Sequence, residues 1–184
     1  MAFEVRPARP EEFEEAGRVT ALAYQEFARP GEAAWEEYLA RIADVPARAD
    51  RAHVLVAVED GRILGSATLE LSERIEADDP PLPAEEAHIR MLGVHPDARG
   101  RGVARALIEA CFRRAATEGR SRMTLHTTER MRAAQAMYGR MGFERLADRV
   151  FPDGFVLLTY QKAIDPAGTE RATDRGQPPP VGTT

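Results

Sequence analysis

The chain of 184 residues contains one cysteine, Cys111, one lysine, Lys162, and one tryptophan, Trp35. A single thiol excludes a disulfide framework and any cluster of thiolate metal ligands. With Lys162 alone among 25 basic residues, arginine carries the positive charge, and lysine drops out of almost every catalytic scheme. No apolar run approaches the ~20 residues that a membrane-spanning helix requires. The opening MAFEVRPARPEEFEEAG places acids where an export or transit leader has a basic and then an apolar region, so a cytoplasmic setting without membrane association is expected. A net charge of -5 argues against general nucleic-acid binding.

What is present is a globular composition, 43% hydrophobic and 30% charged, in a length suited to one domain. Charge is unevenly distributed: Ser72 to Glu86 holds six acids against Arg74, whereas Arg99 to Arg122 holds seven arginines against Glu109 and Glu118. A basic segment in an acidic chain fits either a local anionic ligand or an arginine-studded solvent face.

Patterning predicts a short strand at Phe3 to Arg6, a helix from Pro10 to about Ala28, and a second helix over Glu32 to Arg48 with Trp35, Tyr38, Leu39 and Ile42 on one face. A hairpin follows, His53 to Val58 and Arg62 to Leu71 joined by Asp60-Gly61. The proline-bearing acidic stretch Ser72 to Ala84 reads as a loop. Glu86 to Val94 is a strand, Gly102 to Glu118 a helix whose apolar stripe includes Cys111, Met123 to Thr128 a strand and Glu129 to Met141 a helix. Gly142 to Leu146 and Phe155 to Gln161 are strands around a Pro152-Asp153-Gly154 turn. The domain is expected to occupy 1–164, followed by a disordered polar tail over 165–184. The order implies an α/β (α+β sandwich) fold with a mixed sheet.

The segment from Val94 to Arg105 ends a strand, turns through Gly100 and Gly102 and starts a helix. Glycines admit close backbone approach, unpaired N–H groups of a first helical turn point outward, and the helix dipole adds positive potential, so this is an anion site suited to a pyrophosphate. Arg99, Arg101 and Arg105 add positive charge. A kinase-type phosphate loop needs Gly-Lys-Ser/Thr, absent here, and a dinucleotide fingerprint needs a glycine where Arg105 stands.

The pattern resembles the GNAT superfamily of acetyl-CoA-dependent N-acyltransferases. Its Arg/Gln-x-x-Gly-x-Gly/Ala motif is matched by Arg99, Gly102 and Ala104, after the usual Val94-x-Pro96 strand end. A second family feature, Ala-x-x-x-Tyr leading into Gly-Phe, is matched by Ala134, Tyr138, Gly142 and Phe143. The resemblance covers about residues 3 to 163. It implies a mostly antiparallel sheet of six to seven strands with about four helices on its two faces, acetyl-CoA as cosubstrate, an amine acceptor and a homodimer. It further implies that N–H groups from Arg99 through Gly100, Arg101, Gly102, Val103 and Ala104 to Arg105 hold the pyrophosphate. The backbone of Leu92, Gly93 and Val94 would pair with the pantetheine arm, and the Leu92 N–H would polarise the thioester carbonyl. The family's usual asparagine before the tyrosine is replaced by Met131, so its contacts are expected from Thr127 or Thr128.

Acetyl transfer needs a neutral amine, a stabilised oxyanion and a proton for the departing thiolate. Tyr138 is the candidate acid, the plain alternative being a tyrosine in the apolar stripe of Ala134, Met137 and Met141. For the base, His88 lies on the strand before the motif, with the alternation His88, Arg90, Leu92 aiming it at the cleft, and His126 lies on the next strand. Either could instead be a satisfied sheet residue; Glu86 is the third choice. His53 and His95 read as peripheral. Tyr24, Phe27, Trp35 and Tyr38, with the loop acids Glu73, Glu76, Asp78 and Asp79, mark where an acceptor would bind, the acids forming a rim for a cationic amine. The alternative function is a non-catalytic acyl-CoA-binding module of the same fold.

Overall fold

The computed structural model describes residues 2–27, 33–76, 79–152 and 154–165. The expected helix end at Ala28 and start at Glu32, the loop acid Asp78, the turn residue Asp153 and the tail from 166 onward lie outside the described residues. The chain runs β1 (Glu4–Pro7), α1 (Phe13–Gln25), α2 (Ala33–Ala43), α3 (Pro46–Ala49), β2 (His53–Glu59), β3 (Arg62–Glu70) and β4 (Glu86–Val94). It continues through α4 (Val103–Thr117), β5 (Arg122–Thr127), α5 (Arg132–Arg140), β6 (Glu144–Arg145), β7 (Arg149–Val150) and β8 (Val156–Ala163).

The strands form one sheet in the order β1-β2-β3-β4-β5-β8-β6, with β7 also pairing β8. Every pairing is antiparallel except β4 with β5. The expected mixed sheet is therefore present, with eight strands and five α-helices among the described residues. One face carries the main core: Leu69, Ile89 and Leu125 of the sheet close against Val103, Leu107, Ile108 and Cys111 of α4 and Tyr138 of α5. The other is covered by α1, whose Ala16 and Val19 meet Val54, Val56 and Ile63. Each large aliphatic side chain buried in these layers contributes about 1.5–3 kcal/mol.

The second expected helix does not run unbroken to Arg48. Pro46 has no N–H to donate into the preceding turn, so α2 stops at Ala43 and Pro46 starts the short α3. Arg48 then folds back, 2% exposed, donating to the carbonyls of Arg41, Ile42 and Asp44 at 2.8–3.1 Å and to Thr68 Oγ1 at 3.2 Å. The carbonyls left open at the end of α2 are thereby satisfied by a cation that complements the helix dipole. Its guanidinium is lowered to about 10 by burial.

β4 is irregular where it matters. Opposite β3, Ser66 pairs Gly93 and Thr68 pairs Arg90, so Met91 and Leu92 stand against the single residue Ala67. Met91 has φ 49, a conformation that side-chain-bearing residues seldom adopt. The extra residue reverses the alternation. Ala87 and Ile89 face α4, as do Leu92 and Val94 beyond the bulge, while Gly93 turns to α1. The expected alignment of His88, Arg90 and Leu92 on one face is thus corrected: Leu92 lies opposite to the other two. Gly93 has to be glycine, since a Cβ there would sit 2.9 Å from the Thr20 backbone of α1.

Candidate active site

The parallel pair β4·β5 is registered only over Glu86–Ile89 against Arg122–Leu125. Beyond it β4 continues to Val94, held by β3, and β5 to Thr127, held by β8. The two strands therefore part, leaving a slot in the middle of the sheet with Arg90 to Val94 on one wall and His126 and Thr127 on the other. An open pair of strand edges inside a sheet is a place for an extended ligand to add main-chain hydrogen bonds.

At the end of β4 lies the glycine turn. The N–H of Arg99 is donated to Pro96 at 3.2 Å, and the ladder of α4 begins with Ala106 donating to Gly102 at 3.0 Å. Among the described residues, the N–H groups of Gly100, Arg101, Gly102, Val103, Ala104 and Arg105 have no protein acceptor. The expected run is thus shortened by Arg99. Gly100 and Gly102 have φ of 74° and 81°, and a Cβ built at either meets nothing within 4 Å, so the turn faces open space. The arginines are not free charges. Arg99 pairs with Glu26 at 2.8 Å, Arg101 with Glu59 at 2.6 Å and Arg105 with Glu109 at 2.8 Å, which leaves the N–H groups and the dipole as the main anion-binding elements. Thr127 and Thr128, at the end of β5, each hold a buried hydroxyl with no partner, whereas Met131 is a buried apolar residue at the start of α5.

Tyr138 is buried on the α4 and α5 face, its ring 5.7 Å from Phe143 and 5.6 Å from Tyr160, and burial raises its phenol. The histidines lie on the opposite face of the sheet, so Tyr138 and the candidate bases are not brought together on one surface. His88 is 2% exposed and His126 half-buried, with ring centroids 4.7 Å apart. Burial is the main cause that pulls His88 well below the usual imidazole value and His126 down to about 4, and Arg90, Arg149 and Arg74 act in the same direction. Both rings are neutral at pH 7. Glu86, also buried, takes Arg122 at 2.9 Å.

Sequence reasoning missed how this face is wired. Thr124 Oγ1 lies 2.7 Å from both His88 Nδ1 and Glu86 Oε1. Asp79 accepts from Arg90 at 2.5 Å and from Arg149, binding the loop between β3 and β4 to β7. Glu76 pairs with Arg41 at 3.2 Å. Two of the acids expected to attract a cationic amine are therefore already matched by arginines. Tyr24, Trp35 and Tyr38 form a half-buried aromatic cluster, with centroids 6.2 Å apart for Tyr24–Tyr38 and 5.6 Å for Trp35–Tyr38. His53 is exposed, and His95, just after β4, takes the Asp97 N–H at 3.2 Å.

The family model described as the acetyltransferase (GNAT) family matches residues 18–143. Mycothiol acetyltransferase from Cellulomonas flavigena is 35% identical over 98 residues, 53% of this chain and 28% of that protein. The match thus spans less than a third of the relative. The ribosomal-protein-S18-alanine N-acetyltransferase of Escherichia coli superposes with a TM-score of 0.64 at 18% identity, covering 89% of this chain and 94% of that one. The structure of yncA from Salmonella typhimurium, solved with its cofactor acetyl-CoA, gives 0.63 at 20% identity over 90% and 95% of the two chains. Acetyl-CoA is the cosubstrate that accompanies this fold. The residues present fit it: six unclaimed N–H groups before an open glycine turn, a slot between parting strands and two orphaned hydroxyls beside it. With the motif, the fold and the matched segment in agreement, the chain belongs to the acetyltransferase (GNAT) family.

Proposed function

We propose that the protein is an N-acetyltransferase that moves the acetyl group of acetyl-CoA to a primary amine, of a small molecule or of a protein or peptide, by direct transfer in a ternary complex. The observation that carries this reading is the slot, whose β4 wall leads into the open glycine turn, with a buried tyrosine on one face of the sheet and two histidines on the other. In this reading the N–H groups of residues 100 to 105 hold the pyrophosphate and the backbone of Leu92, Gly93 and Val94 takes the pantetheine arm. The Leu92 N–H donates to the thioester oxygen, a bond that strengthens as negative charge develops there. Tyr138 protonates the departing thiolate. The proton of the amine goes to the side of His88 and His126, with Glu86 behind them.

Separate acid and base suit direct transfer, since one group can take the proton of the amine nitrogen and the other can protonate the sulfur as the tetrahedral intermediate collapses. A covalent route through Cys111 is not favoured: its side chain is fully buried in α4 and burial pushes its thiol up to about 12. The aromatic cluster of Tyr24, Trp35 and Tyr38 lines the acceptor side. The reading carries with it the expected cytoplasmic setting and a homodimer, to be checked by cell fractionation and light scattering.

Thermal unfolding with acetyl-CoA, free CoA and ATP is the first test. At a concentration near 100 times Kd the ligand adds ~2.7 kcal/mol and raises the midpoint by roughly 5 to 10 °C. A rise with acetyl-CoA and CoA but not ATP, followed by thiol release with an amine panel, is the expected outcome. A rise without thiol release assigns the binding module instead, and no rise removes the site.

A further inference from the structure

Between the slot and the far end of β5 lies a chain of three buried side chains that belong to two strands. Glu86, Thr124 and His88 are 7%, 5% and 2% exposed. Thr124 has one hydroxyl proton and two short contacts, to Glu86 Oε1 and to His88 Nδ1, both 2.7 Å; its contact with the Ala87 carbonyl is longer, at 3.4 Å. A carboxylate only accepts, so the Thr124 proton goes to Glu86 and the Thr124 oxygen accepts a proton held on His88 Nδ1. The lone pair of His88 then resides on Nε2. Glu86 is fixed from its other side by Arg122 at 2.9 and 3.2 Å. His88 is in register with Thr124, one pair before the strands part, and His126 lies two residues farther along β5 on the same face.

We propose that Glu86, Thr124 and His88 work as one unit in which His88 takes the acceptor's proton on Nε2, while Thr124 and Glu86 are positioning residues that fix its tautomer and offset its charge. The inference rests on the transferase reading and deepens it, replacing three alternative bases by an ordered set. In the step, an N–H bond of the amine breaks with its electron pair staying on nitrogen, and the proton bonds to Nε2, by way of the His126 ring or a water beside it. The Nδ1–H remains and its hydrogen bond to Thr124 shortens, backed by the Glu86 carboxylate. No proton passes to Glu86. The arrangement follows the logic by which a carboxylate holds and supports a catalytic imidazole, here with a threonine hydroxyl between them.

The charged groups that act on the two rings are Arg90 from β4, Arg74 and Asp79 from the loop after β3 and Arg149 from β7; Glu70 of β3 is the register partner of His88 and pairs with Arg90, and Tyr38 of α2 faces Arg90. Arginines surround the rings on several sides. Glu86, reached through Thr124, is the carboxylate joined to His88 by hydrogen bonds.

The test pairs spectroscopy with kinetics on the full chain. Long-range ¹⁵N–¹H spectra are expected to show His88 protonated on Nδ1 and bare on Nε2 in the wild type and in Thr124→Ser, with that pattern lost in Thr124→Val. Turnover in Thr124→Val and Glu86→Gln is expected to fall at least tenfold, with the ascending limb of the pH–rate profile displaced and KM for acetyl-CoA unchanged. Thr124→Ser, which keeps the hydroxyl, restores both. A wild-type His88 protonated on Nε2, or an unmoved pH profile in folded Thr124→Val, overturns the inference even where transferase activity is present. Absence of thiol release by the wild type, with the His88 pattern intact, overturns the transferase reading instead.

Discussion

Tyr138 is held by rings rather than by hydrogen bonds: Phe143 and Tyr160 flank it, and its hydroxyl is not among the sealed, partnerless polar atoms of the described residues. Removing that hydroxyl leaves the packing nearly intact. Tyr138→Phe is therefore expected to lower kcat at least tenfold with less than twofold change in acetyl-CoA affinity, as measured by steady-state thiol release beside calorimetric binding. Unchanged turnover would return Tyr138 to the role of a core residue. Because burial holds the proton more firmly on the phenol, donation depends on the departing thiolate being equally poorly solvated.

The decisive element is the turn between β4 and α4. Gly102 at φ 81° lets the backbone reverse just ahead of the first helical turn, and the space before it is open. A side chain there strains the backbone by about 1–2 kcal/mol without colliding with a neighbour. Gly102→Asp is expected to keep the fold, shown by circular dichroism, while reducing acetyl-CoA affinity at least a hundredfold, because its carboxylate occupies the anion's place. Retained affinity would remove the turn from the site. This element is legible in the sequence because glycine spacing, strand end and helix stripe all fall within a short stretch. So are the hairpin at Asp60-Gly61 and the stripe that buries Cys111. The bulge at Met91 is not, since nothing in EAHIRMLGV marks a residue with positive φ; it follows from the register that β3 imposes. Nor is the break before Pro46 joined by periodicity to its consequence, the capping of α2 by Arg48. Thr124 escapes notice for a related reason: its partners Glu86 and His88 are 38 and 36 residues away, and only the parallel register brings them together.

At the scale of the whole molecule, the neutral histidines tie folding to pH. A ring whose folded value lies below its unfolded value binds fewer protons in the native state, so stability is complete above the unfolded value and is lost as pH falls toward the folded one. For His126 that window runs from 6.5 down to about 4, and His88 acts in the same direction. Since the ring is part exposed, about 2 kcal/mol is expected from His126, less than the full linkage value. Urea unfolding across this range is expected to lose at least that amount in the wild type, and about that much less in His126→Gln, in which His88 still contributes. Equal slopes would contradict the assigned environment. Below this window the carboxylates take over, Glu12 being held near 2 by Arg6.

The parting of β4 and β5 has a mechanical meaning as well. The sheet is two smaller sheets, one of β1 to β4 and one of β5 to β8, joined by four registered pairs at one end. Such a joint is expected to act as a hinge, with amides along the walls of the slot expected to exchange quickly with deuterium in the empty protein. An extended ligand laid between the walls supplies the missing rungs, so its binding should slow exchange on both half-sheets at once and stiffen the molecule across its full width.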